Sequence, residues 1–226
     1  MQDDKSQTAE EVEKSTPSAI SVLNSSLPKL TITNIKCSVK IPCTLSLDEV
    51  RKRCEHDFSL HCVPYSNFIV IKEPRSSLRI VFFKQKADKK VNCHANITGI
   101  SSFADLDSSL NFLSSIIQCK REDVKHQVDN ISGITDIVEK FLEQCNLRDI
   151  NLTKLSQFVN ENHKDVNVRF NPEVFGCMVT RMPDCTVLLY GQGKVVLIGS
   201  HSIEAMKYAT RWLKEVVTSA KASQAL

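Results

Sequence analysis

The chain has 226 residues, 42% hydrophobic and 24% charged, enough to bury one large core or two small ones. Six glycines and seven prolines exclude collagen-like and linker-dominated architectures, and the composition excludes a wholly disordered chain. The formal net charge of +3 is too small to announce a nucleic-acid partner, but it is unevenly spread. Residues 1–28 hold five acids against two bases, which leaves 27 bases and 21 acids, a net of +6, beyond residue 28.

The first residues are acidic and lack the apolar core of a signal peptide, and no apolar run approaches the ~18–20 residues that span a bilayer. No membrane partner is expected. The nine cysteines are odd in number and scattered, which reads as reduced thiols in a cytosolic or nuclear protein.

Residues 1–28 are rich in Ser, Thr, Glu and Lys and carry no aromatic side chain, the signature of a disordered tail. From Lys29 the pattern is strand-like, with Leu30, Ile32, Ile35, Val39 and Ile41 set among polar residues. Ser46-Leu47-Asp48-Glu49 has capping-box spacing and predicts a short helix to about Cys54. Strands are predicted at Phe68 to Ile71, Leu78 to Phe83 and Ala95 to Thr98, the first two joined by a turn at Glu73-Pro74. Lys84 to Cys93 holds four lysines and reads as an exposed loop. A helix is predicted from about Phe103 to Lys120, with Phe103, Leu106, Leu110, Leu113 and Ile117 on one face.

The same order then repeats. Asn130-Ile131 opens a strand as Asn34-Ile35 does, 96 residues earlier. A helix is predicted around Leu152, Leu155 and Phe158, then strands at Cys177 to Arg181, Val187 to Tyr190 and Lys194 to Ile198. A closing helix runs from Ser202 to about Thr218, and Thr98-Gly99 and Ile198-Gly199 stand just ahead of the last helix of each half. The pattern is a duplicated strand–helix–sheet–helix unit. It predicts an α+β chain: a tail over 1–28, a first repeat over 29–123, a second over 124–220 and a short C-terminal tail over 221–226. The two repeats form one antiparallel sheet with helices on one face, so the other face is solvated or binds something.

Motifs that would carry catalysis are weak. Gly191-Gln192-Gly193-Lys194 lacks the glycine spacing of a phosphate loop and lies between two strands, as a hairpin turn does. Cys54, His56, His61 and Cys62 lack a CxxC and a second pair at finger spacing, so no metal site is assigned. No nucleophile elbow or carboxylate constellation accompanies the cysteines and histidines, so neither an enzyme nor a cofactor is expected.

The sharpest signal lies in the second half. Phe170-Asn171-Pro172-Glu173-Val174-Phe175, Arg181-Met182, Leu188-Leu189-Tyr190 and Gly193-Lys194-Val195-Val196-Leu197-Ile198-Gly199 resemble the TATA-box-binding protein family. Asn34-Ile35, Cys43, Leu45, Leu47, Glu73-Pro74-Arg75 and Thr98-Gly99 continue the resemblance in the first half, over residues 29 to 218 in all. The cysteine-rich opening strand is closer to the divergent TATA-binding-protein-like factors than to the founding protein.

The resemblance implies a saddle: two pseudo-symmetric repeats in one curved antiparallel sheet, with helices on the convex side and the concave side toward a DNA minor groove. It implies a nuclear, non-enzymatic factor of transcription initiation. Phe175 and Tyr190 correspond to the wedge pair of the second repeat, and Tyr65 and Phe82 to that of the first, with Phe83 an alternative to Phe82. Asn34 and Asn130 correspond to the groove-centre asparagines, Thr98, Leu188 and Val196 to further groove-facing positions with Ile80 in place of a leucine, and Arg181 and Lys194 to phosphate contacts. Glu173 and Val174 match the stirrup through which the family binds transcription factor IIB, the general transcription factor expected as partner.

Departures from the family pattern are equally specific. Lys36, Asn96 and Ser132 stand where small apolar groups are expected, Ile198 where a threonine is, and Asp105 and Asp107 where the family pattern implies a basic helix. The basic surface used for transcription factor IIA is eroded. A second reading therefore stays open, in which the same saddle has lost DNA and serves as a protein-interaction scaffold.

Overall fold

Alternate residues of β1 (Leu30–Ile41) go to opposite faces of the strand, and the two faces have different fates. Ile35, Cys37, Val39 and Ile41 are buried, whereas Asn34, Lys36, Ser38 and Lys40 between them are not. That division runs through the whole chain. The computed structural model describes residues 29–42, 45–73, 76–83 and 93–226. The tail 1–28, Cys43, the turn residues Pro74 and Arg75, and most of the lysine-rich loop (84–92) lie outside the described residues.

The first repeat continues with β2 (His61–Pro64), β3 (Phe68–Lys72), β4 (Arg79–Phe83) and β5 (Cys93–Ile100). The second has β6 (Lys125–Thr135), β7 (Asn167–Asn171), β8 (Phe175–Met182), β9 (Cys185–Tyr190) and β10 (Val195–Ser200). All pair antiparallel in one curved, open sheet ordered β2-β3-β4-β5-β1-β6-β10-β9-β8-β7. Each half of that order repeats the other about the central β1·β6 pair, where Asn34 faces Ser132 and Lys36 faces Asn130.

The helices are α1 (Leu47–Asp57), α2 (Phe103–Ile117), α3 (Ile137–Gln144), α4 (Leu152–Asn162) and α5 (Ile203–Ala222). Their buried residues, among them Val50, Leu110, Leu113, Phe141, Leu155, Leu213 and Val217, join the buried face of the sheet in one hydrophobic cluster. The starts are written locally. Ser46 accepts from the Glu49 N–H while the Glu49 carboxylate accepts from the Ser46 N–H at 2.7 Å, a closed capping box. Ser102 and Ser202 cap α2 and α5 by accepting the Asp105 and Ala205 N–H groups, one cap per repeat. Arg53 of α1 donates to the terminal carbonyls of Ile116 and Ile117, tying α1 to the end of α2.

Five features differ from the sequence-based expectation. The helix predicted around Leu152 is α4, but α3 precedes it; α3 has no side-chain cap bond at Asp136, and a left-handed Asn146 lies between the two helices. The edge strands β2 and β7 were not predicted, because four or five residues are too few to show an alternation. The C-terminal tail over 221–226 is not a free end: α5 runs to Ala222, and Ala225 and Leu226 pack against the core. Phe82 is 0% exposed and pairs with Ala95 on the helix-covered face, so it cannot reach a groove. Ile80, paired with Ile97, is buried on that face too. β4 reads Arg-Ile-Val-Phe-Phe, apolar on both faces, so alternation alone cannot say which phenylalanine points inward.

The two phenylalanines are separable by experiment. Phe82→Ala is expected to cost about 3–5 kcal/mol of unfolding free energy through the cavity it leaves, and Phe83→Ala about 1 kcal/mol. Urea denaturation of both variants checks this order.

Candidate nucleic-acid interface

The face of the sheet opposite the helices is organised as rungs of cross-strand neighbours. One rung of the first half reads Val63, Val70, Val81, Asn96, Ser38 and Gln127. Its counterpart in the second half reads Arg169, Val179, Leu188, Val196, Ile134 and Thr31. The register alone thus matches Val81 with Leu188, Asn96 with Val196 and Ser38 with Ile134. The matched residues differ in kind. The second-half rung is apolar across four strands, with Ile134 39% exposed, whereas the first half turns polar at Asn96 and Ser38.

Near the centre of the face, Asn34 and Asn130 make the same contact in each repeat. Asn34 Oδ1 accepts from the Gly99 N–H at 2.8 Å and from the Thr98 hydroxyl at 3.2 Å. Asn130 Oδ1 accepts from the Gly199 N–H at 2.9 Å. A backbone N–H can bond only to the amide oxygen, which fixes how each amide is turned. The oxygen is committed to the protein; one Asn130 Nδ2 hydrogen reaches the Ser132 hydroxyl at 3.5 Å, which leaves its second N–H and the Asn34 Nδ2 group as donors for a ligand. Gly99 and Gly199 have φ of 82° and 74°, where the register with the neighbouring strand slips. That left-handed conformation suits glycine and aims the N–H at the asparagine.

Aromatic side chains stand at both ends. In the first repeat Tyr65 is 53% exposed and stacks on Phe68 with ring centroids 4.5 Å apart, and Phe68 in turn meets Phe83 at 6.1 Å. Phe83 pairs with His94 on the open face and holds the register position that Tyr190 holds in the second repeat. The alternative to Phe82 is therefore the residue on this face. Phe175 is 48% exposed at the start of β8, and Tyr190 is half-buried beside its cross-strand partner Cys177.

Thr98, Leu188 and Val196 lie on the same face, half-buried, and Arg181 is exposed across from Asn167. Lys194 is exposed in the β9–β10 turn, where its carbonyl accepts the Tyr190 N–H. Sequence reading missed Phe68, Arg169, Lys40 and Lys125, all on this face by register, because none belongs to a motif. It also missed Asp129, whose carboxylate accepts from the Ser38 hydroxyl. Asp129 adjoins Asn130 at a slip in the β1·β6 register, where counting by twos fails.

Glu173 and Val174 form the β7–β8 turn. Asn171 Oδ1 accepts from the Glu173 N–H at 3.1 Å, a side-chain-built turn that leaves Val174 79% exposed. Asp105 and Asp107 of α2 have local partners: Asp105 receives the Ser102 hydroxyl and Asp107 pairs with Arg121 at 3.1 Å.

Burial pushes the Cys54 thiol up to about 12, with Cys62 alongside adding to it, and the Cys37 and Cys185 thiols to about 11. These thiols are poor nucleophiles at neutral pH. Among the described residues no group of three His, Cys, Asp or Glu side chains is placed to hold a metal ion, and no helix is long and apolar enough to cross a membrane.

The family model described as "Transcription factor TFIID (or TATA-binding protein, TBP)" matches residues 136–220, most of the second repeat. Among solved structures, Methanococcus jannaschii TBP is similar with a TM-score of 0.61, over 85% of this chain and 99% of that one. The second repeat is thus similar in sequence to the TATA-binding protein, and the chain shares its fold. At 20% identity the archaeal likeness shows the fold, which extends the saddle to the first repeat beyond the family-model match. No curated protein matches the chain. The saddle form of this α+β sheet, with its two repeats, is the fold that the sequence resemblance implied.

The glycine–asparagine contacts of this TATA-binding-protein-like saddle make a paired prediction. A Cβ at Gly99 would stand 2.0 Å from the Ser77 carbonyl oxygen, whereas one at Gly199 would meet nothing within 4 Å. Gly199→Ala is expected to cost about 1 kcal/mol, from backbone strain alone, and Gly99→Ala about 3 kcal/mol or more. Thermal unfolding of the two variants measures the difference.

Proposed function

We propose that this chain is a divergent TATA-binding-protein-like general transcription factor that lays its open sheet face in the minor groove of double-stranded DNA. The observation that carries this reading is the paired asparagine arrangement near the centre of the face, two outward amide donors flanked by exposed aromatics at both ends. Donors suit the groove floor, where A·T and T·A pairs offer only acceptors. Phe175 and Tyr190 at one end, and Tyr65 and Phe83 at the other, are the wedges that part base steps and bend the duplex. The Tyr190 hydroxyl must keep a partner on insertion, and Cys177 is its cross-strand neighbour. Arg181, Lys194, Arg169, Lys40 and Lys125 contact phosphates. The protein acts in the nucleus, without catalysis, and Glu173 and Val174 receive a transcription-factor-IIB-like partner.

The exposed Val174 favours protein contacts in their own right, as the scaffold reading requires. DNA bending separates the two. In a fluorescence assay at low salt, wild type is expected to bend A·T-rich duplexes, and Phe175→Ala to fold normally but bind at least tenfold more weakly. Arg181→Ala is expected to weaken all sequences alike and to reduce the slope of log K against log salt by about 1. No binding of any duplex by wild type, with initiation factors still recovered after nuclease treatment, would overturn DNA binding and select the scaffold.

A further inference from the structure

The matched rungs differ in chemistry next to the centre of the face. At the register position where the second repeat has Ile134 and Val196, the first has Ser38 and Asn96. The Ser38 hydroxyl lies 2.5 Å from Asp129 Oδ2 and 3.3 Å from Asn96 Oδ1. One hydroxyl proton cannot serve both, and the shorter contact takes it. Turned end for end, the Asn96 amide donates to Ser38 Oγ and frees its own oxygen as an acceptor. The result is a cluster of acceptors, a carboxylate and an amide, on the face that the proposed function lays against DNA. Lys36 and Lys40 stand two residues either side of Ser38 on that same face, so the strand brings two positive charges to the part of the face that carries this carboxylate.

Acceptors are the wrong chemistry for an A·T pair, whose minor-groove edge carries only acceptors. They are the right chemistry for a G·C pair, which adds the guanine N2 amino group as the one minor-groove donor. We infer that Asp129, Ser38 and Asn96 form a guanine-reading site, so that the first-repeat half of the saddle takes a G·C pair while the apolar second-repeat half requires A·T. Ile134 and Val196 reject guanine because its amino group would be buried there without a partner. The bound orientation follows from the asymmetry: the G·C pair lies on the first-repeat side of the asparagine pair.

This inference rests on the DNA-binding reading above, and the test keeps the two apart. A single G·C pair is walked along an A·T duplex, and at each position it is also replaced by inosine·C, which lacks only the N2 amino group. The full chain is expected to bind the best-placed G·C duplex about tenfold more tightly than its inosine counterpart. Asp129→Ala and Ser38→Ala are each expected to bring that ratio to about one while A·T binding survives. Circular-dichroism melting checks that both variants fold, and Ser38→Ala alone suffices if Asp129→Ala does not. A wild type that prefers inosine·C at every position, or variants that keep the ratio, would overturn the guanine site and leave DNA binding standing. Failure to bind any of the duplexes would overturn both.

Discussion

The antiparallel pairing of β1 with β6 is the contact from which the rest of the molecule takes its form. Each repeat alone would be a five-stranded sheet with β1 or β6 as an open edge, offering a row of unpaired N–H and C=O groups. Joining those edges satisfies both rows at once and continues the core beneath them, since Ile35 and Ile131 are cross-strand neighbours buried at the junction. It also brings Asn34 and Asn130 near the middle of the open face, one from each half. A position that would lie at an edge in a single repeat becomes central in the duplicated chain.

The second constraint is that helices cover only one face. The buried side of every strand can be chosen for packing alone, and it is filled with Ile, Val, Leu, Cys and Phe82. The open side is released from that demand and carries polar, aromatic and basic residues in ordered rungs. Holding such groups in place requires local devices, because packing does not do it. The left-handed glycines that aim an N–H at each asparagine are one, the stacking of Tyr65 on Phe68 is another, and the Asn171 turn beneath Val174 is a third. Geometry on this face is maintained by hydrogen bonds and ring contacts between near neighbours, and these can differ between the repeats without disturbing the shared core.

That division explains what could be read from the sequence. The long strands β1 and β6, the capped helices α1, α2 and α5 and the duplication itself were legible, because each rests on a periodicity or cap of local origin. Short edge strands and the weakly capped α3 were not, since too few residues carry their pattern. At the site, Asn34 and Asn130 announced themselves by their matching place in the repeat. The choice between Phe82 and Phe83 needed the register of β4 against β5, which a strand apolar on both faces does not disclose. Asp129 was hidden for the opposite reason: a slip in register makes its side chain reach Ser38, a partner 91 residues away in sequence.

Among the described residues the outer edges of the sheet have no further strand partner, and their composition bears on how the protein behaves in a crowded solution. Any open edge is a template for the strand of another chain. β2 has only four residues, ends in Pro64, which has no N–H to give, and exposes His61. β7 has five, exposes Asn167, Arg169 and Asn171, and is bent where its register with β8 slips. Short length, a missing donor, polar side chains and a bend all work against strand addition. The same ends hold the aromatic side chains that the open face presents, so a sheet built to expose them is also one that resists polymerising through its own backbone.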